Sequence, residues 1–503
     1  VIRATATIDP ERTLGRIDPM IYGQYLEHVQ PEHHCIYGAI QDEGSPLSDK
    51  DGFRLDVIDL VRELDVPVVR WPGGCFADIY HWEDGIGPRD ARPARRNWHW
   101  HGLETNRFGT DEFLTWVERI DSRAYLNLNF GTGTLDEAVR WLDYCNGTEP
   151  THEVQLRQQN GRREPWNVPF WGVGNEQWGP WEAGHMDAAT YAEQLRNWTQ
   201  FLKKLDPAAS FLGIGSHSAG DPTWDLETLL HAGHLIDWLT LHAYGHSIHD
   251  GTADDYYPTV NFAVFFEERL KRMIGILDAA NSILNKETPV RISLDEWNIR
   301  HLVTDPVTGK QELDRMSPRT VQDAVTAAGV LHAMLRHPDK IGMANYVFLL
   351  NGNGVILVNP EGTVKTPLFD IFSLYHKLMT GDAIDVRVAS DTLETTLRAE
   401  RFGQERQQVV ELVDVVATRQ PDSGAINVAI VNRHRDDPAE ITLDGLAGPE
   451  VAIHELTHAN PLAANTFEQP DNVRATTRTA AWAGSLSVPA HSVTLLEFGN
   501  ERQ

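Results

Sequence analysis

Eight short runs of β-branched and aromatic residues precede residue 351, and helical periodicity follows them. They are "IYGQYLEH" from Ile21, "VPVVRWPGG" from Val66, "RAYLNLNFG" from Arg123, "VPFWGVGNE" from Val168, "SFLGIGSH" from Ser210, "DWLTLHAYG" from Asp237, "VRISLDEWN" from Val290 and "GMANYVFLL" from Gly342. Between them lie segments such as "GFRLDVIDLVRELD", "LDEAVRWLDYC", "AATYAEQLRNWTQFLKKLD" and "AVTAAGVLHAMLRH", whose apolar residues recur at three- and four-residue spacing. Strand and helix alternating in this way predict an α/β fold, a (β/α)8 TIM barrel. A doubly wound open sheet is the competing arrangement, but it would not place polar residues after so many strands. Beyond Leu378 the helical period disappears. "DVRVAS", "TTLRAE", "NVAIVNRH", "AEITLD", "VAIHEL" and "SVTLLEFG" alternate with period two, which predicts an antiparallel β-sandwich. The N-terminal "VIRATATID" alternates in the same way and can supply one of its strands. The expected division is a barrel over residues 18–378 and a sandwich built from 1–17 with 379–503.

A chain of 503 residues is long enough for such a barrel and a second domain. Its formal charge of −28, from 44 basic and 72 acidic residues, repels phosphate backbones and anionic membrane surfaces, so neither nucleic acid nor membrane is an expected partner. Apolar stretches fall short of the roughly 20 residues that span a bilayer. The three cysteines, Cys35, Cys75 and Cys145, lack metal spacing and are odd in number, against a disulfide framework. A cytoplasmic protein is the expectation, with a trimmed targeting segment left open by the missing initiator Met.

In a barrel, residues just after each strand converge on one mouth. Here they are Glu27 and His28, Arg70 with Cys75, Asn127 and Asn129, Asn175 and Glu176, His217, His242 and Tyr244, Glu296, and Asn351. Glu176 and Glu296 follow the fourth and seventh runs, each beside Trp and Asn. Paired carboxylates with aromatic and amide neighbours suit glycoside hydrolysis: one acid protonates the leaving oxygen, and the other attacks the anomeric carbon or activates water. Trp171, Trp178 and Trp181 around Glu176 would give faces for sugar C–H surfaces and an apolar wall that keeps the acid protonated. Arg70 near Glu296 would hold the second carboxylate ionised. A lone Glu after a strand is ordinarily a surface or helix-start residue, and Cys75 would ordinarily be a small core residue. His28, His33, His34, His99 and His101 suggest a metal, but neither an H-E-x-x-H motif nor a Cys/His pairing accompanies them. No metal or cofactor is expected, and chelation should leave activity intact. "NFGTGT" lacks the Gly-Lys-Ser/Thr ending of a phosphate loop, and the chain has no G-x-S-x-G elbow.

These motifs resemble those of the family 51 glycoside hydrolases, chiefly α-L-arabinofuranosidases. The likeness runs through "IYGQYLEH", "CIYGAI", "VVRWPGGCFADIYHWEDGIGP", "NRFGTDEFL", "GVGNEQWG", "HAYG" and "LDEWN" to "VNRH" and "HSVTLLEF", nearly the whole chain. It implies a barrel with a β-sandwich made from both termini and a retaining mechanism on oligosaccharide substrates. Glu176 would be the acid/base and Glu296 the nucleophile. It also implies substrate contacts from Glu27, Arg70, Cys75, Asn175, His242, Tyr244, Trp178 and the residue at Phe348, and a homo-oligomer, a hexamer in the family. Phe348 departs from the pattern, standing where the family usually has a Gln that contacts the sugar. Ile79 replaces a common Glu, and the link from Gln30 to His34 is longer than usual. The expected function is exo-hydrolysis of terminal α-L-arabinofuranose from arabinoxylan- or arabinan-type oligosaccharides. The alternatives are the same mechanism on β-1,4-glucan, xylan or another furanoside, and a carbohydrate-binding protein on a retired enzyme scaffold.

Overall fold

The computed structural model describes the chain apart from residues 30–33, 216–221, 249–254, 399–404, 447 and 500–503. His33 and His217, both singled out above, lie outside the described residues.

Each of the eight apolar runs contains a strand: β1 Gly23–Tyr25, β2 Val68–Trp71, β3 Arg123–Leu128, β4 Phe170–Val173, β5 Ser210–Gly213, β6 Trp238–Ile248, β7 Arg291–Thr304 and β8 Ile341–Tyr346. All neighbouring pairs are parallel, β8 pairs with β1 and β7 with β6, so the sheet closes into an eight-stranded barrel. Alternation within the strands divides the barrel interior into layers. Met20, Val68, Tyr125, Phe170, Leu212, Trp238 and Met343 form a separate buried apolar cluster that floors the barrel. Two residues further along β2 and β3 the buried positions are polar, Arg70 and Asn127, and β7 adds the buried Asp295.

The helix Val321–Leu335 is buried at all of its positions. A helix that is apolar all round needs partners on every side, and this one lies between the barrel and the second domain. Thr320 caps its start in a box with Asp323, and Asp323 also meets His301 Nε2 of β7 at 2.8 Å, which ties the helix to the strand carrying Glu296.

Among the described residues the second domain is built on one curled nine-stranded sheet, with a separate antiparallel pair of Thr392–Arg398 and Glu405–Glu411. The order in the sheet is Thr476–Ala481, Glu450–Leu456, Ser492–Phe498, Ile426–Asn432, Val413–Arg419, Asp382–Ser390, Ile2–Arg16, Ala439–Asp444, Ser485–Val488. The N-terminal strand sits inside this sheet, antiparallel to Asp382–Ser390 but parallel to Ala439–Asp444, one departure from a purely antiparallel arrangement. Alternation sorts its residues: Val428 and Ile430 enter the domain's own core with Ile2, Ala6 and Ile8, whereas Ala429 and Val431 join the core shared with the barrel. Among the described residues no helix is long and apolar enough to cross a membrane.

Candidate active site

β7 does not stop at Glu296 as its sequence suggested, but continues to Thr304 and returns through Gln311–Leu313. Its pairing to β6 shifts register between Ser293 and Glu296. In a regular strand Asp295 and Glu296 would face opposite sides; the irregularity lets both carboxylates reach the barrel mouth. Asp295 accepts from Tyr125 Oη at 2.9 Å and lies 3.4 Å from Arg70 Nε and 3.3 Å from His242 Nε2. Glu296 accepts from Arg70 at 2.6 Å on Oε1 and from the Tyr244 hydroxyl at 2.5 Å on Oε2. Gly74 lets the backbone pass close to this group, since a Cβ there would stand 2.4 Å from Glu296 Oε1.

Glu176 leaves β4 through Gly174, whose φ of +91° belongs to the left-handed region and whose missing Cβ leaves room for the Gln177 amide. Its Oε1 lies 2.7 Å from His242 Nδ1, and its Oε2 accepts from Trp181 Nε1 at 2.8 Å. One oxygen of Glu176, a ring nitrogen of His242 and one oxygen of Glu296 all lie within 4.8 Å of one another. So close an approach of the two carboxylates lies on the side of retaining glycosidases, whose carboxyl groups are roughly 5–5.5 Å apart, and leaves no room for the roughly 6.5–9.5 Å that an inverting pair keeps open for water.

Arg70 organises both halves. Besides Glu296 it donates to Asn175 Oδ1 at 3.0 Å, so the residue preceding the acid is held by the cation that holds the opposite carboxylate. Burial opposes charge on His242, but Glu296, Asp295 and Glu176 outweigh it and lift the imidazole to about 10. Burial likewise pushes Asp295 upward, and Arg70 with His242 reverse it, holding the carboxyl below its ordinary range. Glu27 goes the other way, raised by burial and by Glu296. Its Oε1 accepts from the backbone N–H groups of Gly74 and Phe76 and from Trp100 Nε1, at 3.2, 3.0 and 2.9 Å.

The pocket over these groups is lined by Glu27, Cys75, Glu176, Tyr244, Glu296 and Phe348, with Tyr25, Trp100, Arg300 and Arg315. Of the sequence candidates, Glu27, Arg70, Cys75, Asn175, Glu176, His242, Tyr244, Glu296 and Phe348 therefore gather at one place. Phe348 is buried, with its ring 5.5 Å from that of Tyr25. Trp178 instead packs edge-on against Trp181 and does not line the pocket. Trp171 is a core residue against Trp141. The apolar wall expected around Glu176 is thus a hydrogen-bonding environment, with Trp181 as donor rather than face. His28 turns into an aromatic cluster, bonding Glu104 at 2.8 Å and accepting from Trp71 at 3.1 Å. Asn129 and Asn351 tie up loop backbone.

Asp295, Trp100, Arg300 and Arg315 escaped sequence reasoning. The "DE" doublet in "LDEWN" is the available signal for Asp295, but a regular strand would turn only one of the two residues to the mouth. Arg300 stacks on the Tyr244 ring, 3.6 Å from its centroid, and Arg315 lies 5.0 Å from that of Trp100. Both belong to the overrun of β7 and its return, which nothing in the local pattern marks.

Comparison with known proteins follows the same lines. Residues 60–260 match a family model described as alpha-L-arabinofuranosidase 1 domain, and residues 295–492 one described as alpha-L-arabinofuranosidase C-terminal domain. The chain is 36% identical to alpha-L-arabinofuranosidase C of Emericella nidulans, over 98% of this chain and 97% of that protein. It is 32% identical to an intracellular exo-alpha-(1->5)-L-arabinofuranosidase of Streptomyces lividans, over 93% of this chain and 71% of that one. Among solved structures, the thermostable GH51 alpha-L-arabinofuranosidase of Thermotoga petrophila RKU-1 superposes with a TM-score of 0.87 at 35% identity, covering 99% of this chain and 100% of the other.

Proposed function

This chain belongs to the α-L-arabinofuranosidases of glycoside hydrolase family 51, and from that membership we propose a retaining exo-enzyme that releases terminal α-L-arabinofuranose from oligosaccharides. Glu296 is the nucleophile in this reading. With Arg70 on one oxygen and Tyr244 on the other, it is fixed in position before it attacks the anomeric carbon. Glu176 gives the leaving oxygen its proton and then takes one from the water that opens the glycosyl ester. His242 Nδ1, 2.7 Å from Glu176 Oε1, is placed to hold that proton and return it to Glu176, which passes it on. His242 therefore acts as a proton reservoir for Glu176, where an apolar wall was expected to keep the proton on the carboxyl itself.

The observation that carries the reading is the short span between Glu176 and Glu296 across one imidazole. Glu27, Asn175, Cys75 and Phe348 line or support the place for a single furanose ring, and Trp178 belongs to the rim rather than the pocket. Phe348 supplies a hydrocarbon edge where an amide would donate, so the sugar hydroxyl facing it is recognised by fit alone. A homo-oligomer, of the hexameric kind implied by the family resemblance, completes the reading and is tested by sedimentation. A cytoplasmic location is consistent with the name of the Streptomyces relative.

The test is release of nitrophenol from a panel of aryl glycosides: α-L-arabinofuranoside, β-D-xyloside, β-D-galactofuranoside and β-cellobioside. A preference of at least tenfold in kcat/KM for the arabinofuranoside is expected, about 1.4 kcal/mol of transition-state discrimination. Turnover of another member with silence on the arabinofuranoside would transfer the same machinery to a different sugar. Sugar binding without turnover of any member would make the protein a binding module.

A further inference from the structure

The pocket has a second chemical constellation on the Glu176 side. Cys75 follows β2, His99 belongs to the "HWH" stretch, and Glu182 follows the turn after Glu176. The Cys75 sulfur, a His99 ring nitrogen and a Glu182 carboxylate oxygen all lie within 4.8 Å of one another. His99 Nε2 and Glu182 Oε1 face each other at 3.4 Å. Both atoms are buried and neither has a hydrogen-bond partner, although Glu182 as a residue is only 5% exposed. Orphaned buried polar atoms in a native fold call for an explanation, because each has given up its hydration without a bond in return.

The separation itself suggests one. Zinc bonds of about 2.0–2.1 Å to nitrogen and oxygen, at tetrahedral angles, set the two ligand atoms about 3.4 Å apart. Cys75 completes a sulfur–nitrogen–oxygen set of the kind a borderline-soft cation prefers. It is also the accessible thiol of the three, Cys35 and Cys145 being buried. We propose that Cys75, His99 and Glu182 form a binding site for a divalent cation of the zinc class, and that filling it inhibits the enzyme.

The surroundings favour a cation. Burial, Asp78 and Glu176 push the Glu182 carboxyl up to about 9, so it carries a proton, and an ion takes that proton's place among the acidic groups. Burial lowers His99, leaving a neutral imidazole with a free lone pair. On binding, the Cys75 S–H and Glu182 O–H bonds break, both protons go to solvent, and metal–sulfur and metal–oxygen bonds form; no electron changes hands. The fourth position faces the pocket and takes a water. The Asn175 amide donates to Glu182 Oε2 at 3.1 Å and points to Cys75 Sγ at 3.8 Å, so the ion sits one side chain from Glu176. Inhibition rests on the functional reading above: a neighbouring dication holds Glu176 ionised and deprives the leaving group of its acid. Zinc binding does not depend on that reading.

The experiment titrates the chelator-treated full-length protein with ZnCl2 by calorimetry, and with CoCl2 by absorption. The site predicts one tight Zn²⁺ equivalent per chain and a near-ultraviolet thiolate-to-cobalt charge-transfer band. Cys75→Ala should abolish the band, and His99→Ala, at a half-buried position, should weaken Zn²⁺ binding at least about 100-fold, beyond the usual outer-shell effect. Equal Zn²⁺ uptake by wild type and both variants, with no cobalt band, would assign the metal to surface histidines and overturn the proposal. Specific binding with hydrolysis unchanged would overturn its inhibitory half. A protein that binds Zn²⁺ at this site but hydrolyses no glycoside would leave the site standing and remove the functional reading.

Discussion

Glu296 has a donor fixed on each oxygen, whereas Glu176 faces an imidazole that can hold a proton for it. The two carboxylates therefore differ by environment rather than by residue type, which is what a division into nucleophile and acid requires. Replacing Glu296 with Gln should lower kcat by at least roughly 10³-fold while leaving the circular-dichroism spectrum and unfolding midpoint close to wild type; retained turnover would refute the assignment. His242→Ala should reduce kcat by roughly 10²–10³-fold for substrates with poor leaving groups and far less for activated aryl glycosides, which need no acid. It should also move the alkaline limb of the kcat/KM profile to lower pH. In the wild type the shared proton is held by an imidazole lifted to about 10, and without it Glu176 must keep that proton alone. An unmoved alkaline limb would show that His242 only fills space.

At the level of elements, the period-two and period-3.6 patterns located every barrel strand, because core-facing alternation is written directly into residue type. They missed what depends on pairing. The register irregularity that turns both Asp295 and Glu296 inward has no local signature, nor does the overrun of β7 that brings Arg300 to the pocket. The two candidate glutamates, Arg70 and Tyr244 were legible because they stand at or near the ends of the apolar runs; Trp100 and Glu182 come from loops whose course only the folded chain fixes. His99 was legible as a histidine motif, but its cysteine partner, Cys75, is far away in sequence. The wholly buried helix Val321–Leu335 is pinned to the second sheet through Asp414. That carboxylate pairs with Arg433 at 2.6 Å and with Arg336, just past the helix, at 2.7 Å. Asp414→Ala leaves Arg433 buried with one charge uncompensated, so a loss of about 3–5 kcal/mol is expected in denaturant unfolding. A change below about 1 kcal/mol would mean that apolar packing alone holds the two domains together.

For the whole molecule, buried ionisable groups set the pH range in which the fold is firm. Burial raises Asp414, Asp323 and Asp295, but their cationic partners outweigh it and hold all three low. Their contribution is complete above the unfolded value near 4 and is lost as pH falls below it. Burial raises Asp111 to about 6, so the native state keeps a proton that the unfolded chain has released, and stability declines as pH rises from about 4 through 6. His242, lifted to about 10, adds stability that is full below about 6.5 and fades as pH rises from there towards about 10. The thermal midpoint should therefore peak between about pH 4 and 6 and fall on both sides; a midpoint still rising at pH 8 would contradict this balance. The geometry of the two glutamates, held on opposite sides of one barrel mouth, is the centre of the account. It is tested most directly by letting the enzyme cleave an aryl α-L-arabinofuranoside in aqueous methanol and reading the methyl glycoside by proton NMR, since the methyl acetal cannot mutarotate. Double displacement through Glu296 predicts methyl α-L-arabinofuranoside; the β-anomer would contradict the account.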